Sequence, residues 1–174
     1  MSNVSRHHMH LRAVVVAAAQ LSCAASAIAQ HCATPTSVGA ATSFYRLNYS
    51  FIHSGAESPP LTPSLRELVG KNIEENLAKG NVGPIDWDFW TDSQDSEPEP
   101  EVSAELIGEF RLEAVVRLRY GYKSSPTERR SDKVTDVHLI KSPAGCWLVD
   151  NLVHNKQDLR ELLSQHPNAE ATRR

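Results

Sequence analysis

At 174 residues the chain has room for one ordinary hydrophobic core and little more. Its 18 Lys and Arg against 21 Asp and Glu give a net charge of −3, without the basic stripe that nucleic acid demands, so a nucleic-acid role is not expected. The densest basic cluster, Arg129, Arg130 and Lys133, follows Ser124-Ser125-Pro126-Thr127 and reads as decoration of a solvated hairpin loop.

Residues 9–30 read as a secretory signal. Arg12 supplies a short basic start, residues 13–28 form an apolar run rich in Ala and Val, and Ala27-Ile28-Ala29 is the small-x-small pattern a signal peptidase accepts, so cleavage is expected before Gln30. Gln20, Ser22 and Ser26 leave the run too short and too polar for a membrane helix, and neither Cys23 nor Cys32 is preceded by a lipobox. The expected compartment is therefore the periplasm or the medium, with no membrane attachment after cleavage. Loss of the leader removes Cys23 and leaves Cys32 and Cys146, two thiols that an oxidising compartment is expected to join as a disulfide. It also removes Arg6 and Arg12 and no acid, which deepens the net charge to about −5.

The expected organisation is a signal peptide over 1–29, one α+β domain over 30–165 and a loose tail over 166–174. From residue 38 to 53, Val38, Ala41, Phe44, Tyr45, Phe51 and Ile52 fall close to one helical stripe. Thr62-Pro63 offers an N-cap followed by proline at the first helical position, and Ser64 to Glu67 has the spacing of a capping box. Leu65, Leu68, Val69, Ile73 and Leu77 then mark the expected buried face of a second helix ending near Gly80. Glu97-Pro98-Glu99-Pro100-Glu101 interrupts an acidic run with prolines and is read as a connector.

Beyond it the period changes to two. A short strand is expected over 102–107, and Phe110, Leu112, Ala114, Val116, Leu118 and Tyr120 mark the inner face of a long one. Two more strands, 134–141 and 146–153, flank the turn signal Ser142-Pro143-Ala144-Gly145, and Asn155 is expected to cap a last helix carrying Leu159, Leu162 and Leu163. Helices followed by such a meander predict an α+β layer architecture, with N-terminal helices packed on a curved antiparallel sheet of about four strands and a short C-terminal helix.

This order resembles a nuclear transport factor 2-like cone. The segment Ile85-Asp86-Trp87-Asp88-Phe89-Trp90-Thr91-Asp92-Ser93-Gln94-Asp95, with Cys146-Trp147-Leu148-Val149-Asp150-Asn151-Leu152 further on, resembles the small exported family called domain of unknown function 3828, over roughly residues 42–163. The Phe-Trp pair after Asp88 departs from the proline-aromatic step of that family. The resemblance implies a fold and an exported compartment, and no activity.

Asp86, Asp88, Asp92 and Asp95 are the densest carboxylates, but Trp87, Phe89 and Trp90 interrupt them and no glycine turns the loop, so a calcium-loop grammar is missing. They are expected to cap turns while the aromatic residues plug the space between helices and sheet. His53, His138 and His154 have no zinc spacing, and neither a metal nor a cofactor is expected. Asp136 and His138 share one strand face and Asp150 lies on the next strand. They are the candidate acid/base set, against the plainer expectation that this face meets water while Val137 and Leu139 meet the core. Nucleophile-elbow, P-loop and dinucleotide motifs are all missing. The expected function is non-catalytic contact with another exported protein, as an inhibitor or immunity-type partner, with Asp86, Trp87, Asp88, Trp90, Asp92 and Asp95 as the binding stretch. The alternative is a cone whose internal pocket binds a small molecule or performs catalysis.

Overall fold

Thr62 and Pro63 start the longest helix as the sequence leads one to expect. The Thr62 hydroxyl accepts from the Leu65 N–H, and α2 runs Pro63–Ala78. The computed structural model describes residues 34–53, 59–80, 85, 87–93, 97–123 and 129–165. The leader, Cys32, Asp86, Asp95 and the tail lie outside the described residues. Helix α1, Ser37–Asn48, is capped by Thr36, whose hydroxyl accepts from the Gly39 N–H, and it buries Ala41, Phe44 and Tyr45.

After the helices come five strands, β1 Glu97–Phe110, β2 Glu113–Lys123, β3 Ser131–Lys141, β4 Trp147–His154 and β5 Gln157–Asp158, then α3 Leu159–Ser164. They form one open antiparallel sheet in sequence order. Alternation sends Ala114, Val116, Leu118 and Tyr120 of β2, and Thr135, Val137 and Leu139 of β3, into the core under the helices. Arg117, Asp136 and His138 occupy the opposite face. Segment 60–62 pairs with β4 beyond the short β5, through Thr62 N–H to the Val149 carbonyl and Val149 N–H to the Pro60 carbonyl, both 2.8 Å.

The architecture is α+β as expected, with five strands instead of about four, and several local expectations are corrected. The stretch from Glu97 to Glu101 is strand, not connector. It forms the start of β1, and an edge strand tolerates prolines because half of its backbone groups have no ladder partner to lose. The long strand expected from Phe110 breaks at Arg111-Leu112, where a two-residue turn joins β1 to β2 with Arg111 at φ 53°. No glycine or asparagine announces that turn. Asn155 does not cap α3. Asn155 and Lys156, at φ 49° and 65°, form the two-residue turn between β4 and β5, and Asp158 is the cap. On α2 the buried face is Leu65, Val69, Asn72 and Asn76, while Leu77 is exposed.

Trp90 fills the centre of the core. Its ring lies 5.2 Å from Tyr45, 5.9 Å from Tyr120 and 6.1 Å from Phe44, and its indole N–H donates to the Tyr49 carbonyl at 2.9 Å. Among the described residues no helix is long and apolar enough to cross a membrane.

Candidate functional site

The segment 85–93, between α2 and β1, carries most of the polar chemistry, and Asp88 shapes it. The Asp88 carboxylate accepts from the N–H groups of Trp90 (2.7 Å) and Thr91 (3.3 Å), while its backbone N–H donates to the Ser93 carbonyl (2.9 Å). The closed turn drops Phe89 and Trp90 into the core and places Asp92, at φ 55°, over the end of the sheet. Asx chemistry here is what converts a run of alternating acids and aromatics into one buried and one polar face. Trp87 is half-buried, and its carbonyl accepts from the His53 ring at 3.1 Å.

Asp92 meets two basic side chains on the sheet. Its Oδ2 is 3.0 Å from Lys133 Nζ of β3 and 3.0 Å from His154 Nε2 of β4. His154 is 1% exposed, and its other ring nitrogen lies 2.9 Å from the Thr135 hydroxyl. That hydroxyl is 2.7 Å from the Tyr120 hydroxyl, which donates to the Trp90 carbonyl at 2.7 Å. A polar chain thus runs from the rim into the core and returns to the segment that carries Asp92. Burial pushes the Tyr120 phenol far above its ordinary range, so it stays neutral. At the rim, an open cleft of about 600 Å³ is lined by Tyr122, Lys133, Asp136, His154 and Lys156 among others.

Of the candidate acid/base residues, Asp136 and His138 share the outer face of β3, and both Asp136 and Asp150 are held by arginines. Asp136 forms a bidentate pair with Arg117, at 2.7 and 2.8 Å, and that partner holds its carboxyl below the usual carboxylate range. His138 lies opposite Val115 and Asn151 on the same outer face. Asp150 accepts from Thr62 (2.7 Å) and Arg160 (2.8 Å), fastening α2 and α3 to β4. A general base needs a free lone pair within reach of a substrate proton. His154 has both nitrogens engaged, and Asp136 and Asp150 are each tied to an arginine. Among the described residues no group of three or more His, Cys, Asp or Glu could hold a metal ion.

Elsewhere, at the β1–β2 hairpin, four exposed apolar side chains gather, while Leu47 and Leu77 stand singly on the helices. Phe110 is 71% exposed, Leu112 58%, and Leu106 and Ile107 46% each, with the Arg111 guanidinium 5.1 Å from the centre of the Phe110 ring. The turn at Arg111-Leu112 interrupts the alternation around Phe110 and Leu112, and the register shift between Leu106 and Gly108 interrupts it at Leu106 and Ile107. His154 was visible as a residue but not as part of a site, because its partner Asp92 is 62 positions away.

No protein-family model matches this chain, and no curated protein or solved structure matches it either.

Proposed function

We propose that the chain is an exported, non-catalytic binding protein that acts by contact with another exported protein, as an inhibitor or immunity-type partner. The observation that carries this reading is the apolar end of the β1–β2 hairpin, where Leu106, Ile107, Phe110 and Leu112 stand in water while the polar groups suited to chemistry are consumed by internal partners. The hairpin is favoured over the Asp86–Asp95 stretch as the contact surface, since Phe89 and Trp90 are in the core and Asp88 and Asp92 have internal partners. Export rests on the leader, with cleavage before Gln30 and release into the periplasm or the medium. Membership of the domain of unknown function 3828 family, with its nuclear transport factor 2-like cone, is part of the same proposal, supported by helices preceding an antiparallel meander. A small molecule held between helices and sheet has less support, because the rings of Phe44, Tyr45, Trp90 and Tyr120 occupy that space.

Phe110→Asp with Leu112→Asp tests the reading. Both side chains are exposed, so the double variant should keep the thermal midpoint of the parent to within a few degrees. A partner retained from periplasmic extract by the parent should bind the variant at least ten-fold more weakly. A partner retained equally by both, or no specific partner for the parent, would sink the proposal.

A further inference from the structure

The polar chain from Trp90 to Asp92 can be counted in hydrogens. Four close contacts join five groups: Trp90 carbonyl to Tyr120 hydroxyl, Tyr120 hydroxyl to Thr135 hydroxyl, Thr135 hydroxyl to His154 Nδ1, and His154 Nε2 to Asp92 Oδ2, while the Tyr120 hydroxyl stands 3.5 Å from Nδ1, too far to claim a hydrogen of its own. Each needs one hydrogen between its heavy atoms. The carbonyl supplies none, and Tyr120 and Thr135 supply one each. Since the Trp90 carbonyl only accepts, Tyr120 spends its hydrogen there and must accept from Thr135. Thr135 is then spent as well, so Nδ1 must donate to it. What is left is the contact between Nε2 and Asp92, and a neutral imidazole with hydrogen on Nδ1 presents a lone pair to the carboxyl oxygen. The same oxygen already receives Lys133 Nζ at 3.0 Å, which favours the carboxylate over the acid and places the fourth hydrogen on the ring.

We propose that His154 carries hydrogen on both ring nitrogens and serves as a proton-dependent clasp between segment 85–93 and the sheet. Among the described residues, the charged and titratable groups around it are Asp88 and Asp92 on that segment, Lys133 on β3, Tyr120 on β2 with Tyr45 of α1 against its ring, and Tyr122, Asp132, Asp136 and Lys156 around the cleft. Asp92 is the only one of these that contacts the ring through a carboxylate. With the proton bound, all four contacts close. When it leaves, one of the four must open, and the Asp92 end of the segment keeps only Lys133 as its hold on the sheet.

Imidazole nitrogen-proton correlation spectra of the full chain, ¹⁵N-labelled at histidine and assigned with His154→Gln, test the count at pH 7. The expected pattern for His154 is two protonated ring nitrogens. Tyr120→Phe removes the group that obliges Thr135 to donate inward, so Thr135 can turn to Nδ1, and His154 should revert to one hydrogen on Nε2. A single protonated nitrogen in the parent overturns the proposal, and so does the same pattern in parent and Tyr120→Phe.

Discussion

Burial opposes the charge on Asp88 while the N–H groups of Trp90 and Thr91 favour it, and burial prevails, so the carboxyl is pushed up to about 6. An acid whose folded value lies above its unfolded value of 3.8 holds its proton more tightly in the fold. Its contribution to stability is therefore present at acid pH and is lost as pH rises from about 4 through about 6. Asp88→Asn keeps an acceptor oxygen for the Trp90 N–H and removes the buried charge. The substitution should stabilise the protein at pH 7.5, by roughly 2–3 kcal/mol at the upper end, and do little at pH 4. Thermal melts at the two pH values check this, and an equal gain at both would contradict the electrostatic cause. The capping role of Asp88 was legible from its turn-forming residue type. The depth of its burial was not, because it depends on Trp90 meeting Tyr45 and Tyr120 from distant parts of the chain.

Helix α2 shows how an element can be legible at its start and misleading along its face. Thr62-Pro63 fixes the first turn by local chemistry, so the sequence suffices there. The buried face includes Asn72 and Asn76, one turn apart, which hydrophobic periodicity assigns to water. Asn72 accepts from the Ile85 N–H at 3.2 Å and Asn76 donates to the Ile85 carbonyl at 3.1 Å, so the pair pins the next segment through its backbone. Polar groups can be buried when they satisfy a chain that would otherwise be unpaired, and no periodicity reports that chain. Asn72→Ala should cost about 2 kcal/mol, since it strips a buried N–H of its acceptor. Leu77→Ala, at a side chain 74% exposed, should change stability by less than about 0.5 kcal/mol. Urea titrations of both variants check the inversion. Strands were legible wherever alternation is unbroken, as in β3, and illegible at β1, where proline reads as a break unless the strand is known to lie at an edge.

At the scale of the molecule, the proposed Cys32–Cys146 disulfide would tie the mature N-terminus to the buried residue that precedes β4. In the chain-entropy model so long a loop contributes about 4 kcal/mol. The oxidised mature protein should show no thiol that reacts after denaturation, and its midpoint should fall on reduction. Cys32→Ser, Cys146→Ser and the double variant should cost similar amounts, since any of them removes the same bond. Two reactive thiols per unreduced chain would exclude the bridge and weaken the case for export.

The edge position of β1 also bears on how copies of this chain behave in a crowded compartment. Along that edge, Glu99, Glu101, Glu105 and Glu109 would be brought against their own kind if two copies added strand to strand, and Pro98 and Pro100 offer no N–H to such a ladder. The hairpin at the far end of the same strand has the opposite character, greasy and lightly charged. One strand thus sets a rail that repels its own copies beside an apolar tip, which discourages side-by-side growth into fibres and, under the proposed function, leaves the tip for end-on contact with a different molecule.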